Sequence, residues 1–199
     1  HDMTENIVHL VLARLPNAPQ GVKGISLFLV PKIFVNDDGS LGEANDLKAL
    51  SLEDKIGIHA CPTCVMSYGD KTGAIGYLIG EENKGIECMF TMMNNARLTV
   101  GLQGVSVSER AYQQALSFCN ERVQGVAPGH KEAGPIIRHP DVQRMLADMK
   151  SITEASRALT YTACAEVDFT AGDLPKDDLD QHKRRLGLLT PIVKGWCTE

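Results

Sequence analysis

Cys61-Pro62-Thr63-Cys64 is the shortest stretch of this chain whose residue types and spacing could do chemistry. Two thiols at this spacing can cycle between dithiol and disulfide, or supply half of a zinc site. Zinc needs two further ligands at comparable spacing, and the sequence holds no second Cys pair; His59 alone does not complete a set. A thioredoxin-type thiol also wants its first cysteine at a helix N-terminus, and here a strand is read instead. Packing is therefore the preferred reading of the pair. A thiol redox module is a rival, and it requires both thiols to be accessible. The six histidines are scattered and none has a partner at the spacing of a metal-binding helix pair, so no metal site is expected. His59 could face a ligand, but a satisfied or exposed histidine is the simpler reading.

Two arginines carry further possibilities. Arg122 follows Glu121 at the end of a long helical pattern, where a cation suits the helix dipole and a guanidinium fork could equally hold a phosphate. Arg97 lies within the same pattern after Asn94-Asn95, among apolar neighbours. An arginine there either has a carboxylate partner or lines a substrate channel. Gly-x-Gly-x-x-Gly, a phosphate loop and a nucleophile elbow are all missing from the sequence. Gly101-Leu102-Gln103-Gly104 falls inside the helical pattern and reads as packing.

The elements that must position these residues change character along the chain. The first 80 residues read as β-structure, with strands expected over residues 6–15, 24–30, 55–59, 63–68 and 73–79 and a turn at Asn36-Asp37-Asp38-Gly39-Ser40. Short strands with turn signals between them predict an antiparallel barrel or sandwich. After Lys84 the period becomes helical. Met89, Met93, Ala96, Val100, Gly104, Val107, Ala111, Ala115 and Phe118 recur at steps of three or four, predicting one helix over residues 86–122, roughly 55 Å long. A glycine- and proline-containing loop covers 124–134. Pro140 and Asp141 suit a first helical turn, and Val142, Met145, Met149, Ile152, Ala155, Leu159 and Ala163 make the apolar face of a second helix. A third runs from Lys176 towards Trp196, with Pro191 as a kink or break. Three long helices with short connections predict antiparallel packing. The fold class is thus α+β with more than one domain. An antiparallel barrel or sandwich domain over 1–82 precedes an incomplete antiparallel helical bundle over 83–199.

Composition excludes several function classes. Hydrophobic residues are 43 % and charged residues 23 %, ordinary for a globular chain, and the formal charge of −5 without an arginine-rich run argues against nucleic acid. No apolar run approaches the length of a membrane span, and the start carries no signal-peptide pattern. The six irregularly spaced cysteines read as reduced, mostly buried thiols of a cytoplasmic protein. The chain starts without methionine and stops at Trp196-Cys197-Thr198-Glu199 with no capping glycine, so truncation at both ends is expected.

The segment Gly76-Tyr77-Leu78-Ile79-Gly80-Glu81-Glu82-Asn83-Lys84-Gly85, followed by a methionine-rich helix, resembles the acyl-CoA dehydrogenase family. So do Met93-Asn94-Asn95-Ala96-Arg97-Leu98-Thr99-Val100-Gly101, Gln103-Gly104, Glu121-Arg122, and Gly57-Ile58-His59-Ala60-Cys61-Pro62-Thr63. The resemblance implies a helical domain, a middle β-domain and a four-helix bundle, of which this chain holds most of the second and about three helices of the third. It implies α,β-dehydrogenation of an acyl-CoA thioester to 2-enoyl-CoA with FAD, and an electron-transfer flavoprotein or similar acceptor. It raises the phosphate reading of Arg122, matching an arginine on the FAD diphosphate of a neighbouring subunit, and hence implies a homodimer or homotetramer. Gln124 follows it, although Val123-Gln124-Gly125 lacks the Phe-Gly usual in the family. Thr63 matches a loop threonine near flavin and substrate, and Arg97, with Asn94, lies near the acyl site. The family's catalytic carboxylate would fall beyond Glu199, so no residue here is assigned as the base, and the chain alone is expected to be inactive and to hold FAD weakly or not at all. The rival is a non-catalytic module of the same fold, used in assembly or alkylation-damage response.

Overall fold

A computed structural model describes residues 3–199. It is α+β, with seven strands, β1 Val8–Arg14, β2 Ile25–Pro31, β3 Ile33–Val35, β4 Leu41–Ala44, β5 Leu47–Leu52, β6 Cys64–Tyr68 and β7 Tyr77–Ile79, then three helices, α1 Gly85–Glu121, α2 Pro140–Ala171 and α3 Lys176–Thr198. The chain divides into two compact units, one ending at Thr91 and the other running from Met92 to Glu199. Among the described residues no helix is long and apolar enough to cross a membrane.

In the first unit the strands form three small antiparallel sheets, ordered β1-β2-β7, β3-β4 and β5-β6. No sheet closes on itself among the described strands. β2 is central in its sheet and buries Ser26, Leu27, Val30 and Pro31. It pairs along its whole length with β1, from Val8↔Pro31 to Arg14↔Ile25, and through Leu27↔Ile79 with β7. The turn cluster at 36–40 is the tip of a β3-β4 hairpin, in which Asn36 N–H donates to Ser40 O at 2.9 Å and Gly39 takes φ 83°, a conformation that favours glycine.

Two expected strands change. Residues 55–59 form no strand: Lys55 Nζ donates to the carbonyls of Ile58 (3.0 Å) and Cys61 (2.5 Å), and Ile58 turns to φ 54°. The strand partner of β6 is instead β5, running from Leu47↔Tyr68 to Leu52↔Cys64. The strand expected over 73–79 shrinks to Tyr77–Ile79, because side chains take the backbone bonds of the residues before it. Asp46 Oδ2 accepts from the N–H groups of Lys71 (2.6 Å), Thr72 (2.7 Å) and Gly73 (3.1 Å). Buried Asn45 donates to Pro31 O (2.9 Å) and Ile75 O (2.8 Å) and accepts from Ile75 N (3.0 Å). A buried amide so satisfied substitutes for several ladder bonds.

In the second unit α1 and α2 run antiparallel, as do α2 and α3, while α1 and α3 run parallel. Glu109 meets Arg157, Glu166 meets Arg185, and Gly101 and Gly104 meet Val193 and Cys197 in the same order. The core is Leu98, Val105, Ala163, Val193 and Cys197, with Leu159, Leu186 and Leu189 packed on it. The faces differ from the apolar stripes in the sequence. On α1, Val107 and Phe118 are exposed while Leu98, Gly101 and Val105 are buried. On α2, Met145 and Ile152 are exposed while Thr153, Ser156, Thr160 and Glu166 are buried. Small and polar side chains therefore set the closest approaches. α3 continues through Pro191 without breaking.

Candidate functional site

The chemistry-bearing residues fall in three clusters, one in the first unit and two in the second. The first-unit cluster is the loop entering β6. Its Thr63 is exposed, with its carbonyl accepting from Glu53 N at 2.8 Å. Cys61 is exposed and Cys64 half-buried. Of the six cysteines only Cys119 and Cys197 are buried, so the expectation of mostly buried thiols fails, and it fails most clearly at Cys61. The loop is clamped from within by Lys55 rather than by apolar packing, and Ile56 and Ile58 lie bare. Sequence reasoning misses Lys55, whose role depends on a backbone reversal that its residue type does not announce.

In the second unit Arg97 Nη1 donates to Asn94 Oδ1 at 3.3 Å. The two lie one turn apart on α1, which puts i and i+3 on one face. This brings together both residues assigned to the acyl site, with Asn94 exposed and Arg97 half-buried.

The third cluster follows the end of α1. Arg122 N–H still closes a helical bond onto Phe118 O at 2.8 Å, and then the chain reverses. Val123 bridges Pro135 antiparallel, Ile136 N–H donates to Arg122 O (2.8 Å), and Gln124 N–H donates to Gly134 O (3.2 Å). Gly125, at φ 70°, makes the turn possible. His139, on the residue before α2, bonds Gln124 O through Nε2 at 3.1 Å. A carbonyl only accepts, so that nitrogen carries the proton. The result is a pinned turn on which Arg122 Nη2 donates to Gln124 Oε1 at 3.2 Å, both side chains exposed. His139 is absent from the sequence candidates; as a lone histidine before Pro140 it gives no motif.

A fourth polar cluster carries no assigned role. Glu166, 2 % exposed, receives Arg185 at 3.0 Å on one oxygen and His182 Nδ1 at 2.6 Å on the other, with the His182 ring 4.7 Å from Phe169. In the first unit His9 Nδ1 and the Tyr68 hydroxyl are 2.8 Å apart. Burial lowers the His9 pKa and raises that of Tyr68, favouring the neutral form of each. A cavity of about 270 Å³ beside Tyr68 is lined by Val11, Phe28, Val30 and Arg14. Among the described residues no group of three or more His, Cys, Asp or Glu could hold a metal ion.

Residues 83–181, which carry the Asn94–Arg97 and Arg122–Gln124 clusters, match the model of the acyl-CoA dehydrogenase C-terminal domain. The whole chain aligns at 48 % identity with 3-methylmercaptopropionyl-CoA dehydrogenase of Ruegeria pomeroyi. The chain belongs to the acyl-CoA dehydrogenase family. A butyryl-CoA dehydrogenase of Syntrophomonas wolfei is 41 % identical, again over all of this chain. The Caenorhabditis elegans protein ACDH-11, solved in complex with C11-CoA, superposes with a TM-score of 0.76 at 25 % identity, over 96 % of this chain and 30 % of its own. The chain spans about a third of the two curated relatives, 34 % of each.

Proposed function

We propose that this chain is part of an FAD-dependent acyl-CoA dehydrogenase that oxidises an acyl-CoA thioester to the 2-enoyl-CoA. The observation that carries the reading is the pairing of Arg122 with Gln124 on a turn pinned at both edges of the chain reversal. A guanidinium with one N–H on an amide oxygen keeps most of its fork for a second acceptor, and the exposed Gln124 amide adds two donors. That donor set fits a diphosphate. Arg122 and Gln124 are accordingly assigned to the FAD diphosphate. Thr63, with a hydroxyl on an exposed loop, is assigned to flavin and substrate.

Asn94 and Arg97 are assigned to the acyl-CoA. Their mutual bond aligns the guanidinium along α1 and lowers the entropy lost when a thioester or its phosphates are engaged. Bound flavin supplies the hydride acceptor, and the chain's own residues supply position and charge. No residue of this chain is assigned as the proton-abstracting carboxylate. The relatives from Ruegeria and Syntrophomonas, named for short acyl-CoA substrates, support the substrate class.

The same reading assigns residues 1–82 to a β-domain and 83–199 to a helical bundle, supported by the change from β7 to α1 between Ile79 and Gly85. It includes strands from outside this sequence that complete an antiparallel barrel or sandwich. It also includes an electron-transfer flavoprotein as acceptor, a homodimer or homotetramer sharing flavin through Arg122, and a cytoplasmic setting that suits six free thiols. The test is anaerobic titration of the flavin-loaded intact polypeptide with butyryl-CoA and 3-methylmercaptopropionyl-CoA. Bleaching of the oxidised flavin spectrum is the expected result. A polypeptide that binds FAD but is reduced by neither thioester would remove the dehydrogenase reading.

A further inference from the structure

We propose that Cys61 and Cys64 form a thiol–disulfide modification site whose co-reactant is a low-molecular-weight disulfide. This goes beyond the flavoenzyme reading and does not depend on it. Cys61 is exposed, Cys64 is half-buried at the first position of β6, and both are free thiols. The other four cysteines differ. Cys119 and Cys197 are buried in the helical unit, and Cys88 and Cys164 are half-buried with no second cysteine close in sequence to resolve a mixed disulfide.

The loop that carries Cys61 is shaped for rearrangement. Ile58 is β-branched yet sits at φ 54°, a conformation such residues rarely adopt. Ile56 and Ile58 are exposed, so no apolar core holds the segment. Its shape rests on polar bonds: Lys55 Nζ to the carbonyls of Ile58 and Cys61, Cys61 N–H to Ile58 O at 3.2 Å, and Glu53 N–H to Thr63 O at 2.8 Å. These can be exchanged at little cost in buried area. The Lys55 ammonium also puts positive charge on the approach to Cys61, which favours an acidic disulfide such as oxidised glutathione.

The chemistry balances in two steps. The Cys61 thiol gives its proton to solvent and its sulfur attacks one sulfur of the external disulfide. That S–S bond breaks and one thiolate leaves, protonating in water. The Cys64 sulfur, losing its own proton, then attacks the Cys61 sulfur of the mixed disulfide and expels the second external thiol. Two protein thiols are oxidised and one external disulfide is reduced to two thiols. The new ring encloses Pro62 and Thr63, so Thr63 must turn and its bond from Glu53 N–H must loosen.

The test uses the purified intact polypeptide and an excess of oxidised glutathione, followed by intact mass, peptide mapping and amide exchange. The expected course is a glutathione adduct on Cys61 that converts to a Cys61–Cys64 disulfide, two hydrogens lighter than the starting chain and restored by a reductant. Cys61 should react at least about tenfold faster than Cys88 or Cys164, as expected when access governs thiol exchange. Cys64→Ser should stop at the Cys61 adduct, Cys61→Ser should leave Cys64 unmodified, and Glu53 amide exchange should speed up in the oxidised chain. The wild-type time course needs no variant to fold. A Cys61 adduct that never converts in the wild type, or adducts forming equally fast on Cys88 or Cys164, would overturn the proposal.

Discussion

Gly104 and the carbonyl of Cys197 approach so closely that a β-carbon built on Gly104 would lie 1.9 Å from that oxygen. The obstacle is backbone, which cannot rotate away. Gly104→Ala should therefore force α1 and α3 apart and destabilise the helical unit by about 1–3 kcal/mol, near the upper end of that range. Gly101→Ala meets Val193 Cγ1 at 2.4 Å, a side-chain atom in the core, and should cost less. Gly187 and Gly195 on α3 have nothing within 4 Å of such a carbon. Alanine there should stabilise by roughly 0.5–1 kcal/mol. Urea unfolding of the four variants checks the order; a Gly104→Ala variant as stable as the parent would contradict the packing.

Glu166 is buried at 2 % exposure, whereas the side chains of His182 and Arg185 keep 22 % and 51 %. Removing the carboxylate lets a partly exposed guanidinium and imidazole turn to water. Removing both partners strands a buried carboxylate. The double change His182→Ala/Arg185→Ala should thus cost more than Glu166→Gln, on the order of 3–5 kcal/mol. Denaturation midpoints of the two variants decide the sign.

Asp46 titrates below the usual carboxylate range, held there first by the backbone N–H groups of Lys71 and Thr72. Its folded pKa lies below its unfolded pKa, so its contribution is complete above about pH 4 and disappears as pH falls through the folded value. The stability gap between the parent and Asp46→Ala should be constant from pH 6 to 8 and should close in stronger acid. Thermal unfolding across pH measures it. A gap that widens in acid would show that the carboxylate is not the group responsible.

Arg122→Ala in the intact polypeptide should weaken FAD binding about tenfold or more, the loss expected for one charge-assisted contact. Arg122→Lys should recover only part, because a point charge cannot reproduce the fork. Arg97→Ala should raise KM for acyl-CoA while FAD affinity holds. Flavin fluorescence titration and steady-state kinetics separate the two; equal effects of both variants on FAD would merge the two clusters into one site.

Much of the helical half is legible in the sequence because its punctuation is local. Gly85 opens α1, Glu121 closes it before the Gly125 turn, and Pro140 starts α2. The buried faces are legible only in part. The glycines of Gly101-Leu102-Gln103-Gly104 read as packing and do meet Val193 and Cys197, and Ala163 is buried. Apolar periodicity also points at Val107 and Met145, which are exposed, and passes over Ser156 and Thr160, whose small size permits contact that hydrophobicity scales do not register. In the β-unit, β5 escapes notice because Leu47–Leu52 holds Lys48 and Ser51 and is mostly exposed. The truncation of β7 depends on Asn45 and Asp46, which lie far from it in sequence. Of the candidate site, Arg97 within α1 and Arg122 just past its end stand out in the sequence, and their assignment rests on the family resemblance, while the turn that pairs Arg122 with Gln124 arises from bonds to Gly134 and Ile136 that no local pattern encodes.

The unbroken run of α1 fixes a phase as well as a length. Asn94, Arg97, Gly101 and Gly104 stand at its beginning and middle and Arg122 just past its end, all reading one angular clock. One residue inserted after Gly104 would swing Arg122 round by about 100° while leaving the contacts with Val193 and Cys197 in place. Seven inserted residues would restore its heading to within roughly 20°. Homologues that differ in the length of this helix should therefore do so by whole pairs of turns.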